Sequence, residues 1–374
     1  MKRRWTAAGL MGVAACAAAC VALWPHAERA AVVLAASNDP VTLSDIQLDS
    51  ALWNDPGLLE REAEAALAAG DIDLAGSFLD VAAARNAAFP EGLRTRIAEA
   101  VSRENSVGGL AERFATGLVT GNAEDAVGLT GAMTGDLFAF GDIRDVVREG
   151  KNVVMGEDGD RVILGLAAAG LVVTAATYVS VGGAAPVRAG LTMVKDARKA
   201  GRMGEGLSRW AGRSARDLVD TPVLQKALAS GSFAHPGQLV PAIKAAFRAE
   251  KAGALVRVAK DVSRIGKRAG TRGAFDAMKL ADGPKDIARA ARLAEAKGGQ
   301  TRAILKMFGR GALVLAAGAF DLALWVFWAL AALLGFVVSI KTTTEHLTLS
   351  WLRRRKAVRG KLCQTAISAS PVIA

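Results

Sequence analysis

Histidine, cysteine and paired carboxylates are where this chain would carry chemistry, and its 374 residues hold only three His and three Cys. His26, His235 and His346 stand far apart, so no Ser-His-Asp set forms without choosing partners freely, and each reads as a surface or cap histidine. Cys16 and Cys20 lie at i and i+4 in an apolar stretch, a spacing that suits membrane packing, and Cys363 is isolated. No CxxC, HExxH or Walker pattern occurs. Gly201-Arg202-Met203-Gly204-Glu205-Gly206 has a superficial phosphate-loop look. It follows a helical basic segment rather than a strand and lacks the Gly-Lys-Ser/Thr ending, so a turn is expected. Glu157, Asp158, Gly159 and Asp160 echo a calcium loop without its length or terminal Glu. Catalytic, cofactor-binding and metal-ligating residues are therefore assigned to none, and a protein that is no enzyme and has no cofactor is expected. Asp321 is singled out as the one ionisable group near an apolar core, either an intramembrane functional residue or an interfacial cap.

The elements around these residues are mostly apolar. Hydrophobic residues make up 52% of the chain and aromatics only 5%, so the excess is Ala, Val and Leu. That composition excludes collagen, disulfide scaffolds and disordered tails. Residues 1–27 begin Met1-Lys2-Arg3-Arg4 and then run uncharged from Trp5 to Ala27, which reads as a signal anchor, a cleaved signal peptide or, through Val13-Ala14-Ala15-Cys16, a lipoprotein signal. A second apolar run, Val162 to Val187, lies between Arg161 and Arg188, rich in small residues that permit close helix packing in membranes. The third, Leu322 to Ile340, is uncharged for 19 residues, has an apolar lead-in from Gly311, and precedes Lys341 and Arg353-Arg354-Arg355-Lys356. Residues 311–340 are expected to be a transmembrane helix and 341–374 a basic tail.

Three single crossings from a cytoplasmic N-terminus would leave that basic cluster outside, against the positive-inside tendency. Either 161–187 is a buried or re-entrant hairpin, or 311–340 dips in and returns near Gly318 to Asp321. The first is preferred, with residues 27–310 all periplasmic.

Charge divides the rest. Residues 27–160 carry 24 acidic and 10 basic side chains, whereas 187–310 carry 26 basic and 10 acidic. Periodicity is helical in both. In the acidic region, 28–160, Leu59, Ala63, Ala66 and Leu67 share one face, Gly70-Asp71 breaks the chain, and Ala75, Phe78, Leu79 and Ala82 share the next. A third helix aligns Leu93, Ile97, Ala100 and Val101, and residues 40–117 are expected to form an autonomous module. In the basic region, 188–310, one face carries Leu239, Ile243, Ala246 and Phe247. Another carries Leu255, Val258, Ala259, Val262 and Ile265, opposite Arg257, Lys260, Arg264, Lys267 and Arg268. Such amphipathic helices suit anionic lipid or partner helices. Nucleic acid is not the expected partner, because no aromatic stacking platform accompanies the basic residues.

The pattern Ala63-x-x-Ala66-Leu67-Ala68-Ala69-Gly70-Asp71-x-Asp73-x-Ala75 makes 58–87 resemble one tetratricopeptide-like helical hairpin. Residues 130–171 resemble the pre-toxin segment of bacterial polymorphic toxins, at Gly141, Asp142, Asp145, Gly150, Gly156, Glu157 and Asp160. That resemblance implies a helix ended by Gly141, a following helix capped by Asp142, and an apolar helix capped by Asp160. It also implies membrane association and helix packing. The chain departs from that architecture by ending in an apolar run and a basic tail instead of a soluble catalytic toxin domain.

The expected class is all-α: an integral membrane protein with helical extramembrane regions and two or three membrane-embedded helices. The expected function is a non-enzymatic inner-membrane scaffold or interaction protein, with membrane lipid and an envelope protein as partners and the oligomeric state left open. The alternative is a membrane-active or toxin-like protein.

Overall fold

The structure is a computed structural model that describes residues 31–104, 136–155, 159–179, 185–220, 245–314 and 317–368, with isolated positions between 18 and 28 and between 222 and 226. The described residues are almost entirely helical. Their one β feature is an isolated antiparallel bridge between Val219 and Phe247. The chain divides into two units, residues 38–315 and residues 1–37 with 316–374.

The larger unit opens with α1 (Pro40–Asn54), started by Pro40 at its first position and by the Asp39 carboxylate accepting from the Val41 N–H at 3.1 Å. Helices α2 (Leu58–Ala68) and α3 (Ile72–Ala84) form the hairpin that the periodicity predicts. Gly70 takes a left-handed φ of 73° at the turn, a conformation that suits a residue without Cβ, and Asp71 caps α3 through the Leu74 N–H at 3.2 Å. Leu59, Ala63 and Ala66 face Ala75, Phe78 and Ala82, all buried. Helix α4 (Glu91–Glu104) adds Leu93 and Ile97 to this core.

The chain continues through α5 (Asp136–Met155), α6 (Arg161–Val179), α7 (Ala185–Lys199) and α8 (Glu205–Leu218). Helix α6 corrects the reading of the second apolar run as a membrane span. From Val162 to Leu171 it is buried inside the unit, packed by α5, α7 and α8, and so has no lipid-facing side over that length. Its small residues serve these neighbours. A Cβ on Gly165 would come within 2.6 Å of the Ala215 Cβ, which fixes the approach of α6 to α8.

Helix α9 (Gly253–Leu280) is the long central element, bent at Gly270 where φ is 77°. Its apolar face, Leu255, Val258, Ala259, Val262 and Ile265, is buried against α7 and α10 (Pro284–Lys297), while Arg257, Lys260, Arg264, Lys267 and Arg268 are exposed. Protein occupies the face that was free to lie on lipid. A Cβ on Gly190 of α7 would sit 1.8 Å from the Ala259 carbonyl oxygen, so the two backbones touch. Helix α11 (Thr301–Phe308) and a short 3-10 turn over Gly309–Ala312 close the unit.

The acidic and basic regions are not separate bodies. Both lie within residues 38–315, and their opposite charges pair across the unit. Arg302, whose side chain is 6% exposed, forms a two-pronged pair with Asp71 at 2.8 Å. Lys297 reaches Asp45 at 2.6 Å, and Arg198 reaches Asp160 at 2.9 Å. Ser77 of α3 donates to the Gly299 carbonyl at 2.6 Å and accepts from the Ala303 N–H at 2.8 Å. The helical hairpin is thus covered by elements from the other end of the chain, and the expectation of an autonomous 40–117 module gives way.

The other unit contains α12 (Ala317–Ser368), 52 residues long. Gly311 to Leu315 belong to the first unit, with Ala312 and Leu313 buried there, so the apolar lead-in is not part of this helix. Asp321 falls in the second turn of α12 rather than at its start, so it does not cap Leu322 to Ile340; its side chain lies outside the described residues. Among the described residues no helix is long and apolar enough to cross a membrane. The contiguous run of described side chains in this stretch, Leu324 to Val338, is 15 residues, short of the roughly 20 a bilayer needs.

Candidate functional site

The residues of the pre-toxin resemblance lead to a charged seam between α5, α6 and α7. Gly141 and Gly150 both lie inside α5, so neither ends a helix and Asp142 caps none. The helix runs through because its carboxylates find partners on α7. Asp142, Asp145 and Glu149 stand at spacings of three and four residues, as do Lys195, Arg198 and Lys199, and the two rows mesh. Lys195 Nζ reaches Asp142 at 2.5 Å and Asp145 at 3.2 Å, and Lys199 Nζ reaches Asp145 at 2.7 Å.

Asp160 does what the sequence suggests. Its Oδ1 accepts from the Val162 N–H at 2.8 Å and the Ile163 N–H at 3.2 Å, capping α6, while Oδ2 accepts from Arg198. Glu149 in turn accepts from the Asp160 N–H at 2.8 Å. Both Asp160 oxygens are therefore used, which leaves none for a calcium ion. Gly170 shows why a glycine sits in the apolar helix: a Cβ there would meet Asp142 Oδ2 at 2.3 Å.

The electrostatics follow from burial and pairing. Burial disfavours the charge on Lys195, but Asp142 and Asp145 more than offset it and raise its pKa. Burial also works against Asp145, and Lys199 with Lys195 hold it below the usual carboxylate range. Asp142 moves the other way, because its burial outweighs Lys195. Asp196 is pushed up to about 6 by burial, with Asp145 and Asp142 adding to the rise and Lys195 and Lys199 opposing it. The remaining space, about 10 Å³ between Asp142, Arg188, Thr192 and Lys195, is at the limit for one water. The seam thus locks helices together and has no room for a substrate.

Sequence reasoning named the α5 half of this seam and missed Lys195, Asp196, Arg198 and Lys199. The matching three- and four-residue spacings of opposite charge were the available signal. Gly201 to Gly206 is a turn, as expected. Gly201 has φ 65°, the Gly204 N–H donates to the Met278 carbonyl at 2.9 Å, and Cβ atoms on Gly204 and Gly206 would collide with Ala281 and Asp282. Gly156, Glu157, Asp158, His26, His235, Cys16 and Cys20 lie outside the described residues, as do the side chains of His346 and Cys363. Among the described residues no three His, Cys, Asp or Glu side chains are grouped to hold a metal.

Helix α12 presents the opposite kind of surface. Trp325 is 68% exposed and Trp328 62%, and Phe327, Leu334, Phe336 and Val338 are more than half exposed. Exposed large apolar side chains at consecutive helix positions point in every direction around the axis. Toward the C-terminus the surface turns basic, and the Arg355 guanidinium lies 4.0 Å from the centre of the Trp351 ring.

Comparison with protein-family models, curated proteins and solved structures finds no match to this chain.

Proposed function

We propose that the chain is a non-enzymatic scaffold or interaction protein of the bacterial inner membrane, anchored through the apolar part of α12, with residues 38–315 as a helical body in the periplasm. The observation that carries this reading is the exposed apolar surface of α12 around Trp325, Trp328, Leu334 and Phe336, followed by a basic segment. A patch of this kind on a helix, without a polar side, matches hydrocarbon better than water. The run Leu322 to Ile340 has the length a bilayer asks for.

The single unit over residues 38–315 supports one topology. With α6 enclosed in that unit, crossings at the N-terminal apolar run and at α12 leave Lys2-Arg3-Arg4 and Arg353-Arg354-Arg355-Lys356 on the same, cytoplasmic side. The conflict with the positive-inside tendency then disappears. A toxin-like activity draws no support from α6, the helix that would have to insert.

Carbonate extraction tests the anchoring: the intact chain stays with the membrane, and its release into the soluble fraction overturns the reading. Reporter fusions test the topology. Fusions at 120 and 230 are active outside the cytoplasm and a fusion at 374 inside it.

A further inference from the structure

A cleft of about 370 Å³ opens between the Gly70-Asp71 turn, the second half of α9 and the turn before α8. That volume lies in the range of small-molecule sites. Its walls set four cations, Arg202, Arg272, Lys279 and Arg302, against two carboxylates, Asp71 and Asp276. Both carboxylates are engaged internally. Arg302 holds Asp71 with two donors at 2.8 Å and Asp276 with Nε at 2.9 Å. Arg302 is therefore a fixed floor, locked by packing and by its own ion pairs.

The other three cations come from separate places and are not bound so tightly. Arg272 reaches Asp71 and the half-exposed Asp73 only at 3.5 Å, beyond the 2.7 to 2.9 Å of a good charge-assisted hydrogen bond. Arg202 lies 5.9 Å from the centre of the Phe275 ring, which seats its guanidinium on one wall. Lys279 is exposed and makes no ion pair among the described residues. Set against the two lining carboxylates the surplus is two positive charges, and Asp73 at the rim reduces it to one.

From this geometry we infer that the cleft is a binding site for a phosphate monoester. A dianion matches the surplus, the Arg forks and the Lys ammonium provide the two donor types that phosphate oxygens accept, and a single monoester with a small organic group fills the volume. A nucleic-acid strand or a folded acidic protein does not fit into the enclosed space. The inference is independent of how α12 is anchored. It assigns a role to the Gly201 to Gly206 turn, whose glycines let it approach α9 closely enough to place Arg202 at the cleft.

Isothermal titration of the full chain in detergent, with glycerol 3-phosphate, dioctanoyl phosphatidic acid and inorganic sulfate as probes, tests it. Saturable one-to-one binding of a monoester is expected, tenfold or more tighter than sulfate, and weakened at least tenfold in Lys279→Ala. Arg202→Gln is a second variant with the same expected loss, and both keep the wild-type circular dichroism because the two side chains are exposed. Binding of glycerol 3-phosphate places the ligand among soluble metabolites, and binding of phosphatidic acid alone places it in the lipid headgroup; both support the site. Absence of saturable binding by either monoester, equal binding of sulfate, or full retention of binding in both variants overturns it.

Discussion

Lys195 is the side chain on which the α5–α7 seam depends, because it alone faces both Asp142 and Asp145 at hydrogen-bonding or near-contact distance. Its removal leaves Asp142 buried without its cation. Lys195→Ala is expected to cost about 3 to 5 kcal/mol, the usual penalty for breaking a buried pair. Replacing both partners, Lys195→Leu with Asp142→Leu, recovers most of that loss, since two apolar groups leave no stranded charge. Denaturant unfolding of the single and double variants checks this, and a double variant no more stable than Lys195→Ala would contradict it.

Asp196 sets a pH dependence of opposite sign to its neighbours. Its folded pKa, about 6, lies above the ordinary value of 3.8, so the folded chain binds the extra proton between these values. The contribution of this group to stability therefore rises as pH falls through that window. Asp145 and Asp71, both held below 3.8, act the other way and only at lower pH, where their protonation removes stability. Asp196→Asn is expected to stabilise the protein by on the order of 2 to 3 kcal/mol at pH 8, with the gain vanishing near pH 4. Thermal unfolding measured at both pH values decides it.

At the scale of elements, the small residues have a purpose that hydropathy does not distinguish. Glycines in the 162–187 run resemble the small-residue faces of membrane helices, yet Gly165 and Gly170 admit Ala215 and the Asp142 carboxylate in a protein core. The α7–α9 contact is tighter still. Gly190→Ala forces its Cβ onto the Ala259 carbonyl, and the helices must separate. A loss of about 1 to 3 kcal/mol is expected from overpacking, read as a fall in melting temperature, while Gly92→Ala on exposed α4 leaves it unchanged or slightly higher. In α12 the test is of the opposite kind. Leu334→Arg places a charge near the middle of the apolar run, at about 2.5 to 3.5 kcal/mol on insertion scales. It should shift part of the chain from the carbonate-resistant membrane fraction to the soluble one, and an unchanged distribution would count against the anchor.

At the scale of the whole molecule, residues 38–315 behave as one body because their two charge blocks complement each other. Asp71–Arg302, Asp45–Lys297 and Asp145–Lys199 each join residues from the two blocks. A fragment ending at 104 would expose Phe78 and leave Ser77 and Asp71 without their distant partners. It is expected to lack a cooperative unfolding transition, whereas 38–315 unfolds in one. Calorimetry of the two fragments checks this.

The sequence by itself determined the local features. Helical periodicity, the Gly70-Asp71 turn, the Asp160 cap and the apolar face from Leu255 to Ile265 were all legible, because each depends on residues within a turn or two of one another. Tertiary structure alone decided what covers those faces. Hydropathy is the same for a helix wrapped in protein and one wrapped in lipid, so Val162 to Leu171 reads as a span until α5, α7 and α8 are seen around it. Likewise, Asp142 and Asp145 read as turn residues until Lys195 and Lys199 arrive from more than fifty positions along the chain and make a continuous helix through Gly141 the lower-energy path. Pairing at that distance follows from chain topology, which no local spacing encodes.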